Sequence, residues 1–240
     1  MIFPIITAGF SLLSAAATSI ATAVSSIGPA VAAFATNIVP TLARALEVVK
    51  PMLPMLTEFA NALLRGMDIL KAGETIEDLG ARALQAGMQG MPLNKFDDVG
   101  QYLQALRDMP LDPRMKERSP VELVLAGLSI ATVGLEEKYQ TRPGSFDGIW
   151  LLPLLKPDYF TPERMQSLME TRTFGREVLD YLDGSLSGGQ ARNFEKSLET
   201  PDMSEAQFDK LYDTLKSASD AWDDLKHKIS DAESNQTNRG

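Results

Sequence analysis

The first charged side chain of this chain is Arg44. The forty-three residues before it carry no charge, and they interleave alanine, serine, threonine and glycine with isoleucine, leucine, valine and phenylalanine. A segment of this kind leaves water by entering a membrane or by burial against protein. The choice between these two environments constrains the fold and the function more than any other feature of the sequence.

The length of the apolar segment suits a membrane helix. Pro4 and the Gly28-Pro29 pair bracket residues 5–27, which as a helix would reach about 35 Å against a hydrocarbon core of about 30 Å. Pro29 suits the first turn of a second helix. That second stretch, residues 30–43, is interrupted by Pro40 and is too short to cross alone. We expect a spanning helix and a re-entrant or interfacial partner, hinged at Gly28 and Pro29.

Small residues recur along the same segment at four-residue spacing. Small side chains at this spacing let helix backbones approach closely, which is how helices associate inside lipid. They also lower the hydrophobicity, so we expect the segment to pack against copies of itself or against a partner helix. The alternative is a buried helix in a soluble assembly. The first row is Ser11, Ala15, Ser19 and Ala23, and a parallel row is Ser14, Thr18, Thr22 and Ser26.

The composition excludes several classes of function. The net charge of the 240 residues is −9, which argues against a nucleic-acid surface because phosphate contacts need clustered lysine and arginine. Without cysteine there are no disulfides or thiolate metal sites, and the single histidine, His227, excludes a multi-histidine zinc site. No catalytic constellation is visible. We expect no enzymatic activity, no metal, no cofactor and no small-molecule substrate.

After Arg44 the sequence predicts a nearly all-α, acidic body. Amphipathic helices are expected in residues 44–110, followed by a charged linker, a helical body in 119–230 and a disordered tail in 231–240. Ser119 and Pro120 mark the start of a core helix over residues 121–139. The apolar run 149–155 is interpreted as a buried connector, with an interfacial anchor through Trp150 as the alternative.

The C-terminal helix carries a regular apolar seam. Its apolar residues alternate spacings of three and four, which is typical of a coiled coil. We expect this helix to dock onto a helical partner, either within the chain or between chains. The seam residues are Phe208, Leu211, Leu215, Trp222, Leu225 and Ile229.

One motif suggests a nucleotide site. Residues 186–190 spell LSGGQ, the signature loop of ABC-type ATPases. That loop acts beside a glycine-rich phosphate loop, and no GxxxxGK[ST] sequence occurs in this chain. We therefore expect no nucleotide binding.

Residues 5–43, and more loosely 41–70, resemble the hydrophobic regions of phage tail tape-measure proteins and the small internal ejection proteins of tailed phages. The resemblance is compositional: uncharged alanine-, glycine- and serine-rich runs punctuated by prolines and followed by short helices. It implies a virion protein that is carried in shielded form and then inserts into a target-cell envelope, where it helps line a conduit. At 240 residues the chain departs from the much longer tape measures, which puts a length-ruler role in doubt.

Two other classes stay open. A constitutive subunit of an envelope-spanning secretion or conjugation complex, anchored in a bacterial inner membrane, would use the same apolar segment as a permanent anchor. A secreted pore-forming toxin or translocator would also pair an apolar helical hairpin with an acidic body. In each class the expected partners are other copies or other helical subunits, together with membrane lipid.

Overall fold

The computed structural model describes residues 12–170, 177–200 and 202–237, and within them the chain is helical with no strand. The all-α fold class expected from the sequence is confirmed. Three 3₁₀ helices, Pro29–Val31, Leu93–Lys95 and Pro113–Glu117, lie between the longer elements. The α-helices in these residues are α1 Leu12–Ser25, α2 Ala32–Asn37, α3 Val39–Val48, α4 Met52–Gly66, α5 Ile76–Met88, α6 Val99–Asp108, α7 Pro120–Tyr139, α8 Leu151–Leu155, α9 Pro162–Glu170, α10 Val178–Leu182, α11 Gly188–Ser197 and α12 Glu205–Thr237.

Helix α7 forms the centre of the fold. It is apolar on every side and buried along most of its length, as expected for a helix surrounded by other helices. It begins after Ser119 with Pro120 in its first turn, where the sequence predicts a start. The Ser119 side chain makes no capping hydrogen bond, and the Glu122 carboxylate, which could form a capping box with it, pairs with Arg118.

Helices α5 and α7 cross at backbone distance. A Cβ atom built on Gly80 would lie 1.9 Å from the carbonyl oxygen of Leu123, and one on Gly127 would lie 2.1 Å from that of Ile76. No side chain fits at either position, so glycine is required by the close approach. This crossing is the most extensive helix pair in the described residues.

The charged linker between the two predicted helical segments is fixed onto α5. Arg82 donates through Nη1 to the carbonyl oxygens of Leu106 (2.8 Å) and Met109 (2.6 Å). Gln85 donates to the Pro110 carbonyl and accepts from the Asp112 amide, both at 2.8 Å. Buried side chains form one cluster from Leu13 to Ile229, so no break in the core coincides with this linker.

The apolar run 149–155 is a buried connector. Trp150 is fully buried and donates through Nε1 to the Thr132 hydroxyl at 2.9 Å, and the five residues of α8 that follow are buried. Just before it, the Glu136 carboxylate accepts from the Phe146 amide at 3.0 Å. Burial raises the pKa of Glu136 to about 7, because desolvation disfavours its charged form.

Two boundaries drawn from the sequence fall inside helices. The boundary after residue 43 lies in α3, which has Pro40 in its first turn, and the interruption expected near Pro40 is a bend of 49° between residues 29–37 and 39–48. Arg44 is tolerated there because its Nε donates to the Pro40 carbonyl at 3.0 Å at the edge of the core. The tail expected from residue 231 is helical as far as Thr237, and Ala232 and Glu233 are half-buried in it.

Candidate functional site

The uncharged N-terminal segment is built into the core of the same chain. In α1 the large side chains of Leu13, Ile20 and Val24 are buried, and Ala17 lies beside them. Helix α3 returns to pack along α1, and both contact α7. In the fold, the large side chains of α1 are therefore buried against protein, which was the alternative to lipid.

The opposite side of α1 carries no charge and only one large side chain, which distinguishes it from the acidic remainder of the chain. We call this surface the uncharged face. Leu12 at its start is 78% exposed, and the other members are small. The uncharged face consists of Leu12, Ala15, Ala16, Thr18, Ser19, Thr22 and Ser25.

The threonines of the uncharged face hydrogen bond within their own helix. Thr18 donates through Oγ1 to the Ser14 carbonyl and Thr22 to the Thr18 carbonyl, each at 2.9 Å. Just beyond α1, Ser26 donates to the Ala23 carbonyl at 2.6 Å. A hydroxyl that donates to a carbonyl of its own helix does not need water as an acceptor. These side chains therefore present methyl and methylene groups outward, and covering them leaves no donor unsatisfied.

The structure places two residues of the predicted helix-packing row on the uncharged face and a third, Ala23, beside it. Ala15 and Ser19 are exposed and Ala23 is half-buried. With Thr18 and Thr22 they line a shallow groove of about 660 Å³. Ser11 lies outside the described residues, so the row begins at Ala15 in the structure.

Gly28 and Pro29 lie where α1 ends. Gly28 is buried with φ at 140°, a conformation that favours glycine, and a Cβ atom on it would lie 3.0 Å from the Pro92 side chain. The Leu93 amide donates to the Ile27 carbonyl at 3.3 Å. The predicted hinge is thus held under the loop at residues 92–93, and it turns the chain from α1 into the 3₁₀ helix that precedes α2.

Among the described residues no single helix is both long and apolar enough to cross a membrane. Residues 29–37 and 39–48 together meet the length and composition required, with a bend of 49° between them. The helix expected over residues 5–27 is described from Leu12 to Ser25, and residues 5–11 lie outside the described part of the chain.

The predicted seam of α12 faces helices of the same chain. Trp222 and Leu225 are each 2% exposed, Leu211 and Leu215 are fully buried, and Phe208 and Ile229 lie at the margins of the seam. The helices packed against α12 are α1, α3, α8 and α10.

Helix α12 also carries a contact residue that the sequence analysis missed. Glu233 accepts from the Ser14 hydroxyl at 2.7 Å and lies 3.8 Å from the Arg44 guanidinium. One carboxylate thus contacts both α1 and α3. Its position four residues after Ile229 continues the spacing of the seam, and that spacing could have identified it.

The LSGGQ residues cap a surface helix. Ser187 is the N-cap of α11, and its hydroxyl and amide form a reciprocal capping box with Gln190. The glycines that follow have no other atom within 4 Å of a Cβ position. The motif therefore has a local structural explanation.

A second groove, of about 680 Å³, lies between residues 155–159 and α12. Its charges are mixed: Lys156 and Lys210 face it together with Asp209 and Asp213, and the Lys156 ammonium donates to the Ser217 hydroxyl at 2.6 Å. No group of three or more histidine, aspartate or glutamate side chains in the described residues could hold a metal ion. No arrangement for nucleophilic or acid–base catalysis is apparent in this groove.

Comparisons with protein-family models, with curated proteins and with solved structures found no match.

Proposed function

We propose that the protein is a non-enzymatic structural component of a phage or phage-tail-like particle, whose apolar N-terminal region inserts into a target membrane and helps form a conduit there. The observation that carries this proposal is the uncharged face of α1. This face has no charge, and its threonine hydroxyls donate to carbonyls of the same helix. Removing these side chains from water therefore costs little free energy.

Under this proposal, the described fold is the shielded form that such a particle would carry. Leu13, Ile20 and Val24 face the core and the small residues face outward. Exposing a leucine, isoleucine or valine to water costs about 1.5–3 kcal/mol each. Lipid is about as apolar as a leucine side chain, so transfer from the core to lipid avoids most of that cost. We therefore expect α1 to α3 to separate from the core when the protein contacts a membrane.

The uncharged face also supports a second function, that of a constitutive subunit in an envelope-spanning complex. Ala15 and Ser19 line a groove into which a partner helix can pack closely without entering lipid. In that case the same residues are a permanent protein interface. In both cases the expected partners are other copies or other helical subunits.

Flotation with liposomes tests the membrane role. The double variant Ala15→Lys with Ser19→Lys places two charges on the uncharged face, where exposed side chains leave the fold intact. Each lysine near the centre of a membrane helix costs about 2.5–3.5 kcal/mol, so the variant should lose flotation while its melting temperature is unchanged.

The matched control places two lysines on exposed residues of other helices, Asn193 in α11 and Ala206 in α12. Asn193→Lys with Ala206→Lys adds the same charge and should float like the wild type. Equal flotation of all three proteins would reject the uncharged face as the membrane-contacting surface.

A further inference from the structure

The second half of α12 packs against the apolar N-terminal helices. Trp222, Leu225 and Ile229 are buried, and α12 contacts both α3 and α1. Its outward residues, such as Asp220 and Asp224, are exposed and charged. Helix α12 therefore has one apolar face packed on the core and one charged face in water.

The Glu233 carboxylate joins this end of α12 to the N-terminal helices. Glu233 accepts a hydrogen bond from Ser14 in α1 and pairs with Arg44 in α3. Arg44 is the first charged side chain of the sequence. The ion pair thus lies at the point where the uncharged segment ends, and it ties that segment to the last turns of the chain.

Few buried apolar contacts hold the end of α12. After Ile229, residues 230–235 are exposed or half-buried, and a groove of about 310 Å³ lies beside them between α3, α10 and α12. Earlier in the helix, Trp222 donates through Nε1 to the Asp183 carboxylate at 2.7 Å, and the Lys226 ammonium lies 3.1 Å from that carboxylate. A helix end with few buried apolar contacts opens locally at a lower free energy than global unfolding requires.

We infer that the segment from Trp222 to Glu233 is a releasable clasp, which holds α1 and α3 in the folded body and must open before the apolar segment inserts into a membrane. The inference rests on the proposed function for its last step. The clasp itself is a property of the folded chain and can be measured without lipid.

Hydrogen exchange in solution tests the clasp. Glu233→Ala removes the contacts with Ser14 and Arg44, and the loss of a charged hydrogen bond with a partly exposed ion pair should raise exchange in α1 and α3 about fivefold to tenfold. Asp231→Ala is the matched control, since Asp231 is an exposed acid on the same turn. Equal exchange in the two variants would overturn the clasp.

Cross-linking tests its role in insertion. The chain has no cysteine, so Ser14→Cys with Glu233→Cys can be joined by a short bis-maleimide, and each single variant treated in the same way is a control. Leakage of dye from phosphatidylethanolamine–phosphatidylglycerol vesicles should fall to background in the cross-linked protein and persist in both controls.

The two experiments separate the clasp from the proposed function. Undiminished leakage by the cross-linked protein would overturn release as a step before insertion. Faster exchange in Glu233→Ala with no leakage from any form would support the clasp and reject the membrane role.

Discussion

Replacing Gly80 with alanine tests the contact on which the packing of α5 against α7 depends. The new Cβ atom would lie 1.9 Å from the Leu123 carbonyl oxygen and 2.8 Å from the Gly127 amide nitrogen. Both are backbone atoms in the middle of a helix, so no side-chain rotation can relieve the clash. The helices must separate by about 1.5 Å to restore ordinary contact, and a gap of that size removes at least about half of the dispersion energy between facing atoms.

The predicted loss of stability follows from two opposing effects. Overpacking of a close-packed core costs about 1–3 kcal/mol and occasionally more, and this site lies at the upper end because two backbones collide. Alanine regains about 1 kcal/mol over glycine as a helix former. We therefore predict that Gly80→Ala lowers the free energy of unfolding by about 2 kcal/mol or more, measured by urea denaturation followed by circular dichroism.

The matched control is Gly189→Ala in the first turn of α11. No atom other than its own neighbours lies within 4 Å of that Cβ position, so only the helix-forming preference changes. The control should be neutral or stabilised by up to about 1 kcal/mol. If the free energy of unfolding of Gly80→Ala equals that of the wild type, or rises as in the control, the clash with the α7 backbone is refuted.

Three further predictions concern other parts of the fold. Burial raises the pKa of Glu136 to about 7, so the stability that its protonated form contributes is complete below the unfolded pKa near 4.5 and is lost as pH rises through 7. In urea denaturation, the free energy of unfolding of Glu136→Gln should therefore rise by about 2–3 kcal/mol relative to wild type between pH 5 and pH 8. A difference between the two proteins that does not change with pH would contradict this. Trp222→Ala should lower the free energy of unfolding by about 3–5 kcal/mol, measured by urea denaturation, because the indole is 2% exposed, and unchanged stability would contradict burial of the seam. Ala15→Leu with Ala23→Leu should keep liposome binding but reduce oligomers and dye leakage; leakage that stays the same or rises would reject close helix packing and leave the segment as a simple membrane anchor.

The sequence was informative where local chemistry decides structure. Thr75 caps α5 by accepting from the Asp78 amide, and the Thr161-Pro162 pair opens α9, so each helix begins at a capping signal in the sequence. The Ser204 amide likewise donates to the Gln207 side chain at 2.8 Å, where α12 starts. These signals act within one turn of helix, so they can be read without knowledge of the tertiary fold.

The features that sequence reasoning missed depend on tertiary contacts. A glycine inside a helix signals either a weak point or a close crossing, and only the partner backbone at Leu123 shows that Gly80 marks a crossing. Arg44 suggests the end of an apolar segment, yet α3 continues because the guanidinium finds the Pro40 carbonyl and Glu233. The uncharged face was visible as a row of small residues, whereas the direction in which the row points depends on which side of α1 packs against α3 and α7.

The most direct test of the account is to measure whether α1 enters the hydrocarbon of a membrane. Because the chain has no cysteine, an environment-sensitive dye can be attached through Ala15→Cys on the uncharged face or through Asn193→Cys on α11. With vesicles whose lipids are brominated along the acyl chains, the account predicts strong quenching of the dye at position 15 and none at position 193. A dye at position 15 that is quenched no more than the dye at position 193 would contradict insertion of the N-terminal region.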